Sequence, residues 1–414
     1  MLPIKNLFGF RKNKGLDKSI IQKNPYRNNT DLNKRQFIKK GLFGLAGLGG
    51  LALASKIAKA GGLVFNDTST QTVAGVSGIN DNVITNGEMR VNQTLGSYTS
   101  GSPFPNNDDA WTVDRWLLLS DGNDIADVTT TTSGGVSGED SYLRLDTETA
   151  SKKFGIAQII ENDNCRHMLG GSQVVSLSFE AKVTNATKMS DIRAAVLTWD
   201  STADSVTSDF VSAWGAEGSN FTAATNWTAE NTPSNLGVTT SWGKYTIENI
   251  AIDTSGGKNI AVFIWQNNVA TNDTTGVFLD ITKVKLELGA SATTFVSRDI
   301  STERDRCYRH RWNVSSLSFF PGRGDGAGAT ALFASATPPV KMFATPTAVL
   351  NSISILGYDT SGAESASSDA ITSISVGNDT NIIKFTATTF IAMVDNAVGI
   401  THFQSGEMWF QAEM

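Results

Sequence analysis

The reactions open to this chain are limited by its scarce side chains: three histidines, His167, His310 and His402, and two cysteines, Cys165 and Cys307, in 414 residues. A Ser-His-Asp relay would need one of those imidazoles beside a nucleophile, and no Gly-x-Ser-x-Gly elbow occurs. Glycoside hydrolysis needs two opposed carboxylates. Asp108, Asp109, Asp121, Asp124 and Asp127 are candidates by type, but they sit in turn-like sequence and read as solvated turn acids. No enzyme is expected. Two cysteines exclude a zinc ribbon and a multi-disulfide framework, and both read as buried thiols. The turn Asp121-Gly122-Asn123-Asp124 is rich in oxygen and able to hold Ca²⁺, although it lacks the spacing and distal Glu of an EF-hand. No other cofactor is called for.

Sugar recognition asks for different residues: an aromatic plate for the C–H face of a pyranose, and neutral hydrogen-bonding groups around it. The stretch 200–237 supplies Trp214, Phe221 and Trp227 with Asn220, Asn226 and Asn235 between them. A connection that long inside a compact domain is often functional. Trp214, Trp227, Phe221, Asn220 and Asn226 are therefore the candidate glycan-binding residues. The competing use of the same aromatics is a lid folded back over the core. Trp116, Trp242 and Trp265 lie in strand-like sequence and are expected in the core.

The elements that must position these residues are strands. Gly is abundant, with 38 residues, the charged fraction is 18%, and Ser, Thr, Asn and Asp fill the gaps between short apolar runs. Val175, Leu177, Phe179 and Ala181 alternate on one face. Residues 260–265 are apolar on both faces, as in a central strand. A strand is expected over 111–119 with Trp111 and Trp116 plugging the core, and Asn86-Gly87 is a tight-turn dipeptide. Arg115 has Asp114 and Glu88 as nearby candidate partners. About nine strands over 82–297 make an all-β, jelly-roll-like β-sandwich. Residues 298–414, rich in Gly, Ser and Thr with short strands, read as a smaller C-terminal β tip that uses neighbouring copies to bury its core.

Charge separates the beginning of the chain from the rest. Residues 1–60 carry ten Lys and three Arg against Asp17 and Asp31, so the arm is +11; with a total of −6, the remainder is −17. Lys34, Arg35, Lys39 and Lys40 precede an apolar stretch at 41–55, and a helix is expected at 41–57. The apolar stretch is too short for a bilayer-spanning helix, which needs about 20 residues. One reading is an anchoring arm in which those four basic residues hold the body to a larger assembly. The other is a twin-arginine-like export signal at 34–60, with Lys34 at the first of the paired positions and Ala58-Lys59-Ala60 as the cleavage site. No basic stripe or ribonucleoprotein signature crosses the acidic body, so nucleic acid is not an expected partner.

The motifs also occur in a distinctive order. Asn82 and Asn86-Gly87 are followed by Asp114-Arg115-Trp116, then Gln158-Ile159-Ile160-Glu161, then Leu177-Ser178-Phe179 with Ala181-Lys182. Thr240-Ser241-Trp242 with Tyr245, then Val284-Lys285-Leu286-Glu287, then Phe295 complete the series. This resembles the carbohydrate-binding-module-like jelly-roll of bacteriophage tail fibres and other virion fibres, notably of marine phages, over roughly half the chain. Glu303, Cys307 and Arg309 resemble its closing segment, and 61–81 resembles the connector that precedes such modules. The resemblance implies a homotrimeric receptor-binding protein, made in the host cytoplasm and carried on the virion. Its partners would be other tail or capsid proteins and host surface polysaccharide. The alternatives are an exported bacterial sugar-binding or adhesion protein, and a purely structural head or tail decoration protein.

Overall fold

The computed structural model describes residues 63–64 and 70–71 and, from 82 onward, all but 95–96, 101–104, 137–140, 172, 271–275, 315–318, 325–328, 360–361, 367–370, 377–382 and 394–397; for 315–334 and 349–407 only the backbone is described. The anchoring arm, with Lys34, Arg35, Lys39, Lys40 and the expected helix 41–57, lies outside the described residues. The chain divides into two compact units, 1–76 and 77–414. In the first, β1 (Leu63–Val64) pairs antiparallel with β2 (Thr70–Gln71).

The second unit begins with β3 (Ala110–Trp111), β4 (Leu117–Ser120), β5 (Ala126–Thr131), β6 (Tyr142–Thr147) and β7 (Phe154–Ile160). After α1 (Asn162–Cys165) come β8 (Gln173–Val183), β9 (Ile192–Trp199), β10 (Val211–Ala213), β11 (Thr222–Ala223) and β12 (Trp227–Ala229). Then follow β13 (Gly243–Ile252), β14 (Asn259–Gln266), β15 (Phe278–Leu288) and α2 (Ile300–Tyr308). The rest is β16 (Arg311–Val314), β17 (Phe319–Gly324), β18 (Ala329–Ala336), β19 (Thr347–Asp359), β20 (Gly362–Ala366), β21 (Ile371–Val376), β22 (Ile383–Met393) and β23 (Val398–Gln411).

The fold is all-β. A six-stranded sheet (β12-β9-β14-β7-β4-β3) and a five-stranded sheet (β13-β8-β15-β6-β5) are each antiparallel, and neighbours distant in sequence give the jelly-roll crossovers. The alternation of the five-stranded sheet places Val175, Leu177, Phe179 and Ala181 in the core shared with Ile156 and Val262 of the six-stranded sheet and with Trp116. Strand β14, apolar on both faces, is fully buried between β9 and β7. At Gly155 on β7 a side chain would collide with the backbone of Ile264 on β14, so only glycine permits that pairing. The β strands of 311–411 form a third sheet, ordered β20-β19-β23-β17-β18-β22-β21 with β16 also on β23.

The strand expected over 111–119 is a hairpin instead. Thr112 N–H donates to Trp116 O and Trp116 N–H to Val113 O, with Arg115 at φ 71°. The reason lies in the side chains of the turn. The Asp114 carboxylate accepts from Gln93 N–H, Arg115 pairs with Glu413 and donates to Ile159 O, and Trp116 Nε1 donates to Asn86 O. Neither Asp114 nor Glu88 is the partner of Arg115. The first motifs of the series, from Asn82 to Glu161, are thus a set of ties at one end of the sandwich. Asn82 bonds Val284 O and Leu286 N–H, and Asn86 bonds Val91 and Asp114 O. Gln158 exchanges two bonds with Thr85, and Glu161 holds Arg309 and His310. The position expected to start a tip, 298, continues this packing: Asp299 caps α2, Arg298 donates to Ile84 O, and Asn313 bonds Gln93.

Candidate functional site

The long connection after β9 covers the outer face of the six-stranded sheet. Because β4, β7, β9 and β14 are apolar outward as well as inward, Leu119, Ile159, Leu197, Phe263 and Trp265 would otherwise meet water, and the lid buries them. Trp227 is 4% exposed; its ring packs 5.4 Å from Trp199 and 5.4 Å from Phe210, and its Nε1 donates to Thr207 O. Phe221 stands edge-on to Trp265 at 5.2 Å, and Trp214 lies 5.9 Å from Phe263; both are half-buried. Asn220 Oδ1 accepts from Arg193, while Asn226 is exposed in a turn at φ 68°. The lid is pinned by Lys153, whose buried Nζ donates to Ala216 O, Ser219 O and Asn267 Oδ1. Burial lowers its pKa. The five expected glycan residues do come together here, but Trp227 and Asn220 are committed to holding the lid.

The outer face of the five-stranded sheet is built differently. Across one row, Arg144 (β6) faces Asp280 (β15), which faces Lys182 (β8). Arg144 binds the Asp280 carboxylate through two bonds of 2.8 and 2.9 Å, and Lys182 reaches it at 3.6 Å. Asp280 in turn raises the Arg144 pKa. Three aromatic rings border the row: Tyr142 and Trp242 meet edge to face at 5.4 Å, Lys182 sits 5.0 Å over Trp242, and Arg144 sits 4.1 Å over Phe278. The Arg144 and Lys182 side chains keep 29% and 26% of their exposure. Trp242, expected in the core, is half-buried on this face, with its Nε1 donating to Gly134 O. Sequence reasoning missed the site because its rings come from two separate strands, β6 and β15, and from the turn before β13. The signal was there in the period-two polar positions Tyr142, Arg144 and Lys182, Asp280, which alternate with core residues.

The oxygen-rich turn is satisfied by protein groups. Asp121 pairs with Lys152 at 3.3 Å, Asn123 Oδ1 accepts from Asp108 N–H, and Asp124 Oδ1 accepts from the buried Asn106. Among the described residues no three of His, Cys, Asp or Glu are placed to hold a metal ion. Nearby, burial and the adjacent Glu148 push Asp127 up to about 7. Burial, opposed by a bond from Ser208, pushes Asp109 up to about 6. Both thiols are free and buried, and burial pushes Cys165 up to about 12.

A cavity of about 300 Å³ opens at the tied end of the sandwich, between the 83–85 segment, the end of β7 and α2. Its lining includes Arg115, Glu161, Arg306, Arg309 and His310. Burial works to raise the Glu161 pKa, but hydrogen bonds from His310 and Arg309 outweigh it and hold the carboxyl at about 2. Burial and the Arg115 charge lower His310, so its Nε2–H is the donor to Glu161 at 2.7 Å.

No family model matches the sequence, and no curated protein matches it. Among solved structures, it overlaps the enzymatically active domain of bacteriophage CBA120 tailspike protein 4 at 14% identity and TM-score 0.30, covering 50% of this chain and 21% of that one. The CBM22-1 xylan-binding domain of Paenibacillus barcinonensis Xyn10C overlaps at 12% identity and TM-score 0.28, covering 51% and 97%. TmCBM61, solved with β-1,4-galactotriose, overlaps at 12% and TM-score 0.26, covering 50% and 99%. Overlaps this shallow assign no function, which is argued instead from the side chains.

Proposed function

We propose that this chain is a non-enzymatic bacteriophage virion fibre protein. Its basic arm attaches it to the particle, and the open face of its five-stranded sheet grips host surface glycans. The observation that carries the glycan reading is the half-exposed trio Trp242, Arg144 and Lys182, held side by side by the buried Tyr142 ring and Asp280 carboxylate. The fibre reading is supported by the ordered motif resemblance, which also favours a homotrimer. The array sets two cations on one carboxylate, and the body is acidic overall, so affinity comes from stacking and short hydrogen bonds at ~1 kcal/mol each rather than from charge steering. Single sites are weak, and three copies on one fibre raise avidity through effective concentration.

The test is titration of the full chain with host-cell polysaccharide at low and physiological salt. Binding insensitive to salt is expected, with a loss of tenfold or more in a Trp242→Ala, Arg144→Ala double variant that retains its near-UV spectrum. Full binding in that variant removes this face. A loss confined to Trp214→Ala moves the site to the lid, and collapse with salt contradicts the mechanism.

A further inference from the structure

The cavity at the tied end has an uneven charge ledger. Arg309 is paired with Glu161 at 2.7 Å, and Arg115 is paired with Glu413. Arg306 also lines the cavity, and its contacts are neutral: Nε donates to Thr85 Oγ1 at 3.2 Å, and Nη2 lies 3.5 Å from Val83 O. Among the described residues no carboxylate stands within ion-pair distance of it. Glu303, one turn earlier on α2, is taken by Arg298 at 3.1 Å. Burial and the Arg298 charge hold the Arg306 guanidinium below its ordinary value, as befits a cation short of counter-charge. The half-buried Arg306 thus leaves part of a planar donor fork facing space.

The rest of the wall narrows what fits. Val83 and Ile160 offer apolar surface, while Asp163 and Asn164 stand exposed at the rim. One unneutralised cation suits a monoanion, and a guanidinium fork suits a planar carboxylate. Asp163 repels a dianion but accepts from hydroxyls. A space of about 300 Å³ is at the small end of ligand pockets, the scale of a sugar ring. We propose that this cavity binds one hexuronate ring, with Arg306 pairing its carboxylate, Val83 and Ile160 against its C–H face and Asp163 and Asn164 at its hydroxyls. The site is separate from the sheet face and does not depend on it.

The test uses the full chain with glucuronate, glucose and inorganic phosphate as probes, followed by calorimetric titration and by arginine-selective labelling with phenylglyoxal and peptide mass mapping. Glucuronate is expected to bind and to slow Arg306 labelling at least fivefold while leaving Arg144 labelling unchanged; glucose and phosphate are expected to do neither. The labelling arm needs no variant, so it stands even if Arg306→Gln destabilises the ties to Val83 and Thr85. In a folded Arg306→Gln protein glucuronate binding should be lost, and in Arg306→Lys weakened about tenfold. Equal protection by glucose overturns the role of charge, equal protection by phosphate overturns the sugar acid, and no protection by glucuronate overturns the site.

Discussion

The two sheets of the sandwich present opposite solutions to the same problem, what to do with the face that is not core. The six-stranded sheet carries Leu119, Ile159, Leu197, Phe263 and Trp265 outward and must be covered, so the chain spends residues 200–237 on a lid. The five-stranded sheet carries Arg144, Asp280, Lys182 and Glu180 outward and tolerates water. Aromatic residues therefore sit differently on the two faces: Trp227 and Phe263 are sealed under the lid, while Trp242 and Phe278 stay half-exposed on the other side. An aromatic-rich long connection looks like a binding loop in sequence, yet most of its rings here are consumed by the sheet beneath.

The sharpest way to break this contrast is to truncate one tryptophan on each face. Trp265→Ala, fully buried and stacked on Phe263 at 4.9 Å, should cost about 3–5 kcal/mol in denaturant unfolding. Trp242→Ala should cost under about 1.5 kcal/mol while removing glycan binding. Comparable losses from both would mean that the two faces are equally structural.

A smaller effect is expected at the lid's pin. Lys153→Met removes the donor to Ala216 O, Ser219 O and Asn267 Oδ1, leaving buried acceptors unmet at about 2 kcal/mol. Amide exchange should quicken over 214–221 and stay unchanged on the five-stranded sheet; equal acceleration on both would show that the lid is not a separate layer.

The smallest effect concerns pH on the open face. Asp127 is raised from 3.8 to about 7, so the folded state binds its proton more tightly than the unfolded state does. That term favours folding less and less as pH rises from 3.8 to about 7. Asp127→Asn should remove the slope, leaving the variant more stable than the parent at pH 8 by about 1 kcal/mol once solvent screening is allowed for, and nearly equal at pH 4. A parent whose stability rises over that window would reverse the sign of this argument.

The strands with strict or two-sided patterns were legible in the sequence: β8 from its alternation, and β14 from being apolar throughout. The hairpin at 112–116 was not, because Arg115 turns the chain to reach Glu413, a partner 298 positions away that no local pattern reveals. The first motifs, from Asn82 to Glu161, did point to a special place, but their residues hold the end of the sandwich shut; the cavity appears only when α2 brings Arg306 and Arg309 to Gln158 and Glu161. Trp242 was expected in the core, but it stands in the turn just before β13, where no alternation fixes which face its ring takes.

The ties at that end also decide how the body would carry mechanical load. Where the chain enters the sandwich, at 83–86, it is bonded directly to where the chain leaves it: Ile84 to Arg298, Thr85 to Arg306, and Asn86 to Glu303. A pull applied between residues 82 and 311 has a short path through these bonds across the base, alongside the ties of Asn82 to Val284 and Leu286 on β15 and of Arg311 to Trp111 on β3. Tension between those points would load the base ties and β15 first, and the remaining strands only once those gave way.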